Sequence, residues 1–417
     1  MTEKNNQETL VYRLVERGDV RRLYLSVSPD RTMVEGMLAR GGKPTTEDYR
    51  QQTESVIEQL RQLLEDTDFM HHVVMMAVFM ADISKKQLVR LMMRDFFDLN
   101  VVPTSTPVTT YIPQCPADGG LIAIELYAVS GSGVRIGLAY REESITVEYH
   151  RMKWCYAGDI TSHEEPMGAY ERSLWAFRRM ERVLESRNMT VENLVRTWIY
   201  QGNLTCLEGG TQRYMELNRA RTDFFEDCVF LPEHLPPSHR GVVYPASTGI
   251  GTDDFDVTMS GIGFSSQRDD IIVVPLENPD QTSAFDYSAQ YSPKSPKFAR
   301  AMALAFDDAC RIYISGTASI TESASRFLDD PEAQTHQTLD NIARLVSGDN
   351  LRAAGINGFA PALADGNLYR VYVKKPEHYA KIRAVCESRL PQIPVTYTIA
   401  DVCRPELLVE IEGVIDC

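Results

Sequence analysis

One glutamate near the end of the sequence is placed for proton chemistry. It lies in Ala400-Asp401-Val402-Cys403-Arg404-Pro405-Glu406-Leu407-Leu408-Val409-Glu410-Ile411-Glu412-Gly413, where residues 407–411 read as a buried strand. Glu410 there stands among Leu408, Val409 and Ile411. A carboxylate on such a strand is expensive to ionise unless something pairs with it, so its pKa rises. A raised glutamate is what a general acid working near neutral pH requires. The same alternation also fits an edge strand with Glu410 and Glu412 in solvent, and the stretch alone leaves both open.

Other chemistries find less support. Gly249-Ile250-Gly251-Thr252-Asp253-Asp254 opens like a dinucleotide loop, but Asp254 stands at the third glycine position and a tight turn is expected instead. The eight cysteines are scattered without a CxxC, and no histidine or acid set has ligand spacing, so neither metal nor cofactor is expected. The formal charge of −15, with no long Lys/Arg run, argues against a nucleic-acid partner. An anionic small molecule would need a local cluster of arginines. The first residues are polar and acidic, unlike a signal peptide, and the longest apolar run, 73–81, is too short for a bilayer. A cytoplasmic protein with reduced thiols and no membrane partner is the expectation.

The elements that position Glu410 recur along the chain. The first copy has a strand at 21–27, a helix over 49–64 opened by a cap at Thr45-Thr46-Glu47-Asp48, a buried strand at 72–83, a helix over 85–97 and a strand at 121–129. The last copy repeats the order at 310–315, 331–345, 368–373, 376–388 and 407–415. Gln52-Thr53 and Gln337-Thr338 both open an apolar helix face. Thr53 to Glu125 and Thr338 to Glu410 both span 72 positions, which matches Glu125 with Glu410. A looser middle copy uses 153–160, 170–185, 194–200, 214–225 and 257–264, with Thr258 where the others carry glutamate. Linkers at 130–135 and 277–296 divide the chain into units 1–135, 136–276 and 277–417. Each unit predicts an α+β fold, one mixed sheet with two helices on one face. Three copies suggest a closed pseudo-threefold ring, as a monomer or a higher homo-oligomer.

Each unit resembles the RidA/YjgF (chorismate-mutase-like) fold, and the last two together resemble a chorismatase. The resemblance rests on Tyr244-Pro245-Ala246-Ser247-Thr248-Gly249-Ile250-Gly251, on Ile314-Ser315-Gly316-Thr317-Ala318-Ser319-Ile320 and on the closing stretch 400–413. The first unit stands as an addition to the two-unit enzymes. RidA-type imine deaminases carry an arginine fifteen positions before the strand glutamate; here those positions are Val395 and Thr110.

The resemblance implies hydrolysis of chorismate to pyruvate and 3-hydroxybenzoate, begun by protonation of the enolpyruvyl group. Glu410 would be the donor and Cys403 a proton shuttle as the ring aromatises. Arg300 and Arg370, with Arg221 and Arg383 as substitutes, would grip the two carboxylates. Tyr287, Gly316, Thr317, Ala318 and Gln334 would complete the substrate contacts. Gly316 with Cys403 points to 3-hydroxybenzoate rather than a dihydroxycyclohexadiene carboxylate. Two alternatives remain: a hydrolase or deaminase of another enamine, imine or enol ether using Glu410 or Glu125, and a ligand-binding protein without catalysis.

Overall fold

Three mixed sheets, each backed by helices, divide the chain. The computed structural model describes residues 10–100, 106–162, 167–286 and 294–417. In the first unit β1 (Leu10–Arg17), β2 (Val20–Val27), β3 (Val73–Met80), β4 (Val108–Ile112) and β5 (Ile122–Gly131) lie in the order β1-β2-β5-β3-β4, with helices α1 (Arg31–Arg40), α2 (Thr46–Asp66) and α3 (Lys86–Asn100). The middle unit contains β6 (Gly137–Arg141), β7 (Ser144–Tyr149), β8 (Met152–Thr161), β9 (Leu194–Gly202), the hairpin β10 (Leu207–Glu208) and β11 (Thr211–Gln212), β12 (Ala246–Thr252) and β13 (Val257–Ser266). Its sheet order is β12-β9-β13-β8-β7-β6, and its helices are α4 (Ala169–Glu185) and α5 (Arg213–Phe224).

The third unit contains β14 (Ile272–Leu276), β15 (Ala301–Phe306), β16 (Ala309–Ala318), the hairpin β17 (Ile320–Thr321) and β18 (Ala324–Ser325), β19 (Gly366–Val373), β20 (Val395–Ile399) and β21 (Val409–Asp416). Its sheet order is β14-β15-β16-β21-β19-β20, with α6 (Pro331–Leu345), α7 (Gly348–Ala353) and α8 (Tyr379–Arg389). In every unit one edge strand pairs in parallel: β4 on β3, β12 on β9 and β20 on β19.

Local chemistry accounts for the helix starts. Thr45 caps α2 by accepting from the Asp48 backbone N–H, and the Asp48 carboxylate accepts from Thr45 N at 2.7 Å in return. Asp330 accepts from Glu332 N and Ala333 N, with Pro331 at the first helical position of α6.

The central strands are buried on both faces. Along β21, Val409, Ile411 and Ile415 pack in the core beneath α6 and α8, so Glu410 and Glu412 point the other way, towards the neighbouring units. Ile122, Ile124 and Leu126 of β5 do the same under α2 and α3. The opposite faces meet in the middle of the molecule. There Phe79 and Ala123, Tyr200 and Ile250, and Ala318 and Tyr372 form one apolar cluster drawn from all three units. Contacts run from β4 to β8, from β12 to β16 and from β20 to β2, so each unit touches both others.

The structure departs from the sequence-based expectations at several points, beginning with α1 and α7, which add a helix to the expected two in the first and third units. Gly249-Ile250-Gly251 is strand, not turn: it lies within β12. A Cβ on Gly251 would come within 2.8 Å of Asp401, whose carbonyl accepts from Gly251 N at 2.9 Å, so the glycine admits the third unit's backbone. Residues 272–276, assigned to the middle unit, form β14 of the third sheet. The repeat register also shifts. Gln52 and Gln334 each accept from the residue preceding the closing strand, Leu121 N and Leu408 N, both at 2.8 Å. Strand pairing sets Met80 against Ile122 and Val373 against Val409, so Glu125 matches Glu412. Glu410 corresponds to Ala123 in the first unit and to Thr258 in the second.

Arg370, expected to hold substrate, instead ties the three units together. Its Nε donates to Glu125 Oε1 (2.9 Å) and its Nη1 to Tyr200 OH (2.7 Å), while Nη1 also pairs with Glu412 Oε1 at 2.9 Å. Glu412 in turn receives Arg196 Nη2 (2.6 Å) and Trp198 Nε1 (2.7 Å) from the middle unit. All three charged groups Glu125, Arg370 and Glu412 are buried, so removing one strands its partners in a low-dielectric interior. Arg370→Met is expected to lower unfolding free energy by about 3–5 kcal/mol in chemical denaturation. A loss below about 1 kcal/mol would show that the network is not holding the units.

Candidate active site

The cleft in front of Glu410 lies where the middle unit meets the third. Tyr214, Asn218 and Arg221 of α5 and Ser247 and Gly249 of β12 form one wall. Phe298, Arg300, Gly316, Ala318, Cys403, Arg404 and Glu410 form the other. Expected candidates Glu410, Cys403, Arg300, Gly316 and Ala318 are thus brought together.

A bulge makes room for the acid. Pairing between β16 and β21 slips between Ile314 and Thr317, which releases Ser315 and Gly316 from the ladder. Gly316 N then donates to Thr248 Oγ1 at 2.9 Å, and Ser315 Oγ accepts from Ser247 N at 2.8 Å. A Cβ at position 316 would lie 2.0 Å from Glu410 Oε1. A side chain there would push the Glu410 carboxyl out of this position.

The two strand glutamates divide into opposite protonation states. Burial, reinforced by the Glu412 carboxylate, pushes Glu410 up to about 8, although Arg300 and Arg196 pull the other way. Burial acts on Glu412 as well, but Arg370 and Arg196, with hydrogen bonds from Thr248 and Trp198, hold it below the usual range. Glu412 is thus the paired anion, and Glu410 is an acid at neutral pH. Glu410 is 5% exposed, and no hydrogen bond to its carboxyl occurs among the described residues. Burial, then Glu410, raises the Cys403 thiol to about 12, so it is a neutral thiol.

Two buried guanidiniums face this acid. Arg300 sends Nη2 to Thr282 O at 3.2 Å, and its backbone N–H to Glu277 Oε1 at 3.1 Å. Arg221 donates to Asn218 Oδ1 (2.6 Å) and Ser247 Oγ (3.3 Å), and among the described residues it has no carboxylate partner. Both guanidiniums lie within 6 Å of the Phe298 ring centroid, at 5.4 Å for Arg221 and 5.7 Å for Arg300. With Arg404 at its wall as well, the cleft sets three cations beside one neutral acid, a chemistry that suits an anionic ligand.

Other expected residues lie elsewhere. Arg383 pairs with Glu387 on α8 at 2.6 Å. Thr317 turns away from the cleft, and its hydroxyl donates to Ser315 O at 3.0 Å. Gln334 lies behind the closing stretch, bonding Glu406 O (3.0 Å) and Leu408 N (2.8 Å), so it holds the loop that presents Cys403. Tyr287 falls outside the described residues. Tyr214, Asn218 and Ser247 were not anticipated. Arg213-Tyr214 to Arg221 is a polar helix segment, and only the i, i+4, i+7 spacing of Tyr214, Asn218 and Arg221 marks a common face.

The neutral Glu410 has a consequence for stability. Its folded-state value of about 8 lies above the ordinary 4.5 of an unfolded chain. Its contribution is therefore fully present below about 4.5 and is lost as pH rises to about 8. Glu410→Gln lacks this loss. Calorimetric Tm values from pH 5 to 9 should shift in the variant's favour up to about pH 8 and then level off. A difference that does not change with pH would contradict the assignment.

No protein-family model matches the sequence. A 3-hydroxybenzoate synthase from Streptomyces hygroscopicus is 31% identical over 295 residues, covering 69% of this chain and 79% of its own. A chorismatase from Streptomyces rapamycinicus is 34% identical over 232 residues, covering 54% of this chain and 64% of its own. The crystal structure of a chorismatase superposes with a TM-score of 0.63 at 21% identity, over 83% of this chain and 93% of that one. That span exceeds the middle and third units, so the first unit is not wholly an addition to the chorismatase fold. The coverage and identity of the first of these relatives place the chain in the family of chorismatases and 3-hydroxybenzoate synthases.

Proposed function

We propose that the protein cleaves chorismate to pyruvate and 3-hydroxybenzoate in the cleft between its middle and third units. The observation that carries this is a carboxyl at Glu410 that stays protonated at neutral pH, facing two buried arginines. The relative named for 3-hydroxybenzoate supports the choice of product.

Chorismate carries a ring carboxylate and an enolpyruvyl carboxylate, and Arg300 and Arg221 are the groups that hold them. Glu410 delivers its proton to the terminal methylene carbon of the enol ether. The ether carbon becomes an oxocarbenium centre beside the newly formed Glu410 carboxylate, which stabilises it. Water adds to that centre, and breaking the bond between the side-chain carbon and the ring oxygen releases pyruvate while that oxygen stays on the ring. The neighbouring ring hydroxyl then leaves as water. Chorismate contains the same atoms as pyruvate and 3-hydroxybenzoate combined, so any water added during cleavage is returned as the ring aromatises. Cys403, a neutral thiol beside Glu410, is the group available to relay a proton in that later stage. Gly316 acts by leaving space for the Glu410 carboxyl.

Incubation with chorismate, with pyruvate measured enzymatically and aromatic products by chromatography, tests this reading. Glu410→Gln should reduce turnover by at least about 100-fold with the fold intact. The wild-type rate should be level below neutrality and fall as pH rises through about 8. Cys403→Ala should change the product ratio more than chorismate consumption. Absence of pyruvate from the wild type, or full activity of Glu410→Gln, would overturn the proposal.

A further inference from the structure

Two cysteines that the proposed chemistry does not use face each other at the far end of the strand pair that bears Gly316 and Glu410. Cys310 N donates to Cys417 O at 2.7 Å and Cys417 N donates to Cys310 O at 2.9 Å. This reciprocal exchange defines a hydrogen-bonded antiparallel pair, for which the Cα separation is about 5.5 Å. Disulfides span Cα separations of about 4.4–6.8 Å. Directly opposed residues also place both side chains on one face of the sheet. The Cys417 thiol lies over its neighbour, donating from Sγ to Cys310 O at 3.4 Å. Cys310 is fully buried, whereas Cys417 is partly open to solvent.

We propose that Cys310 and Cys417 form a reversible disulfide when the protein meets a small-molecule disulfide such as oxidised glutathione. Cys417, the accessible thiol, attacks as thiolate and displaces one glutathione, giving a mixed disulfide. Cys310 then attacks the Cys417 sulfur and displaces the second. Two protein thiols are oxidised, one small disulfide is reduced to two thiols, and the two protein protons end on the released glutathiones. A hydrogen bond from the Cys310 thiol favours the Cys417 thiolate, and the same contact with burial disfavours ionisation of Cys310. That ordering fits Cys417 as the attacking group and Cys310 as the resolving one. The new bond joins residues far apart in sequence and so restricts the unfolded chain. It would fix the end of β21 to the start of β16. Opposed Cβ atoms in a ladder stand about 4.5–5.5 Å apart, wider than the about 3.8 Å typical of disulfides, so the bond is strained and readily reduced.

The test treats the full-length protein with oxidised glutathione, then maps non-reduced peptides by mass spectrometry and measures Tm. A peptide linking Cys310 to Cys417, with a Tm rise of several degrees that dithiothreitol reverses, is the expected result. Cys417→Ser, at a partly exposed position, should keep its fold and lose both the link and the Tm rise. A Cys417–glutathione mixed disulfide that never resolves onto Cys310 would overturn the proposal. So would linkage of Cys310 to another cysteine, or an equal Tm rise in Cys417→Ser.

Discussion

The organising constraint is a pair of carboxyls two residues apart on one buried strand face, of which only one can be an anion. Glu412 takes the charge because Arg370 and Arg196 converge on it. That fixed charge, added to desolvation, keeps the Glu410 proton in place. Moving charge out of water is costly, so the second ionisation is suppressed rather than compensated. Burial is the main source of the acid at the cleft, and Glu412, part of the ion network that joins the units, reinforces it. Glu125 from the first unit, Arg196 and Trp198 from the second, and Arg370 and Glu412 from the third all belong to that network.

This accounts for the unequal fates of the three equivalent positions. Thr258, at the place of Glu410 in the middle unit, shares a hydrogen bond with Thr161 at 2.9 Å, and Ala123 in the first unit packs in the central apolar cluster. Neither can donate a carboxyl proton. The Glu125 matched by the repeat lies on the Glu412 position, where its role is to neutralise Arg370. The first unit therefore contributes charge and apolar surface to the centre, while the cleft in front of Glu410 is walled by the other two.

Much of the architecture was legible in the sequence because it is encoded locally. Capping at Thr45 and at Asp330-Pro331, and the apolar runs of the central strands, located the helices and strands around them. The parallel edge strands were not legible. Ala246–Thr252 has little apolar alternation, and its Gly251 answers to Asp401, about 150 residues away in sequence. Arginine 370 shows the same limit. It was expected to grip a substrate carboxylate, but its partners Glu125 and Tyr200 lie in other units. Glu410 was conspicuous as an acid in an apolar strand, but its burial was not, since the same alternation fits an exposed edge strand. Its counterpart Arg221 does not stand out in sequence, since a buried arginine on a polar helix resembles a solvated one until the neighbouring sheet is in place.

The most direct measurement is the titration of Glu410 itself, by NMR of protein carrying ¹³C-labelled glutamate side-chain carboxyls, with Glu410→Gln supplying the assignment. The account predicts one carboxyl, absent from the variant, that titrates near 8. A Glu410 resonance that titrates in the ordinary range near 4.5 would contradict it.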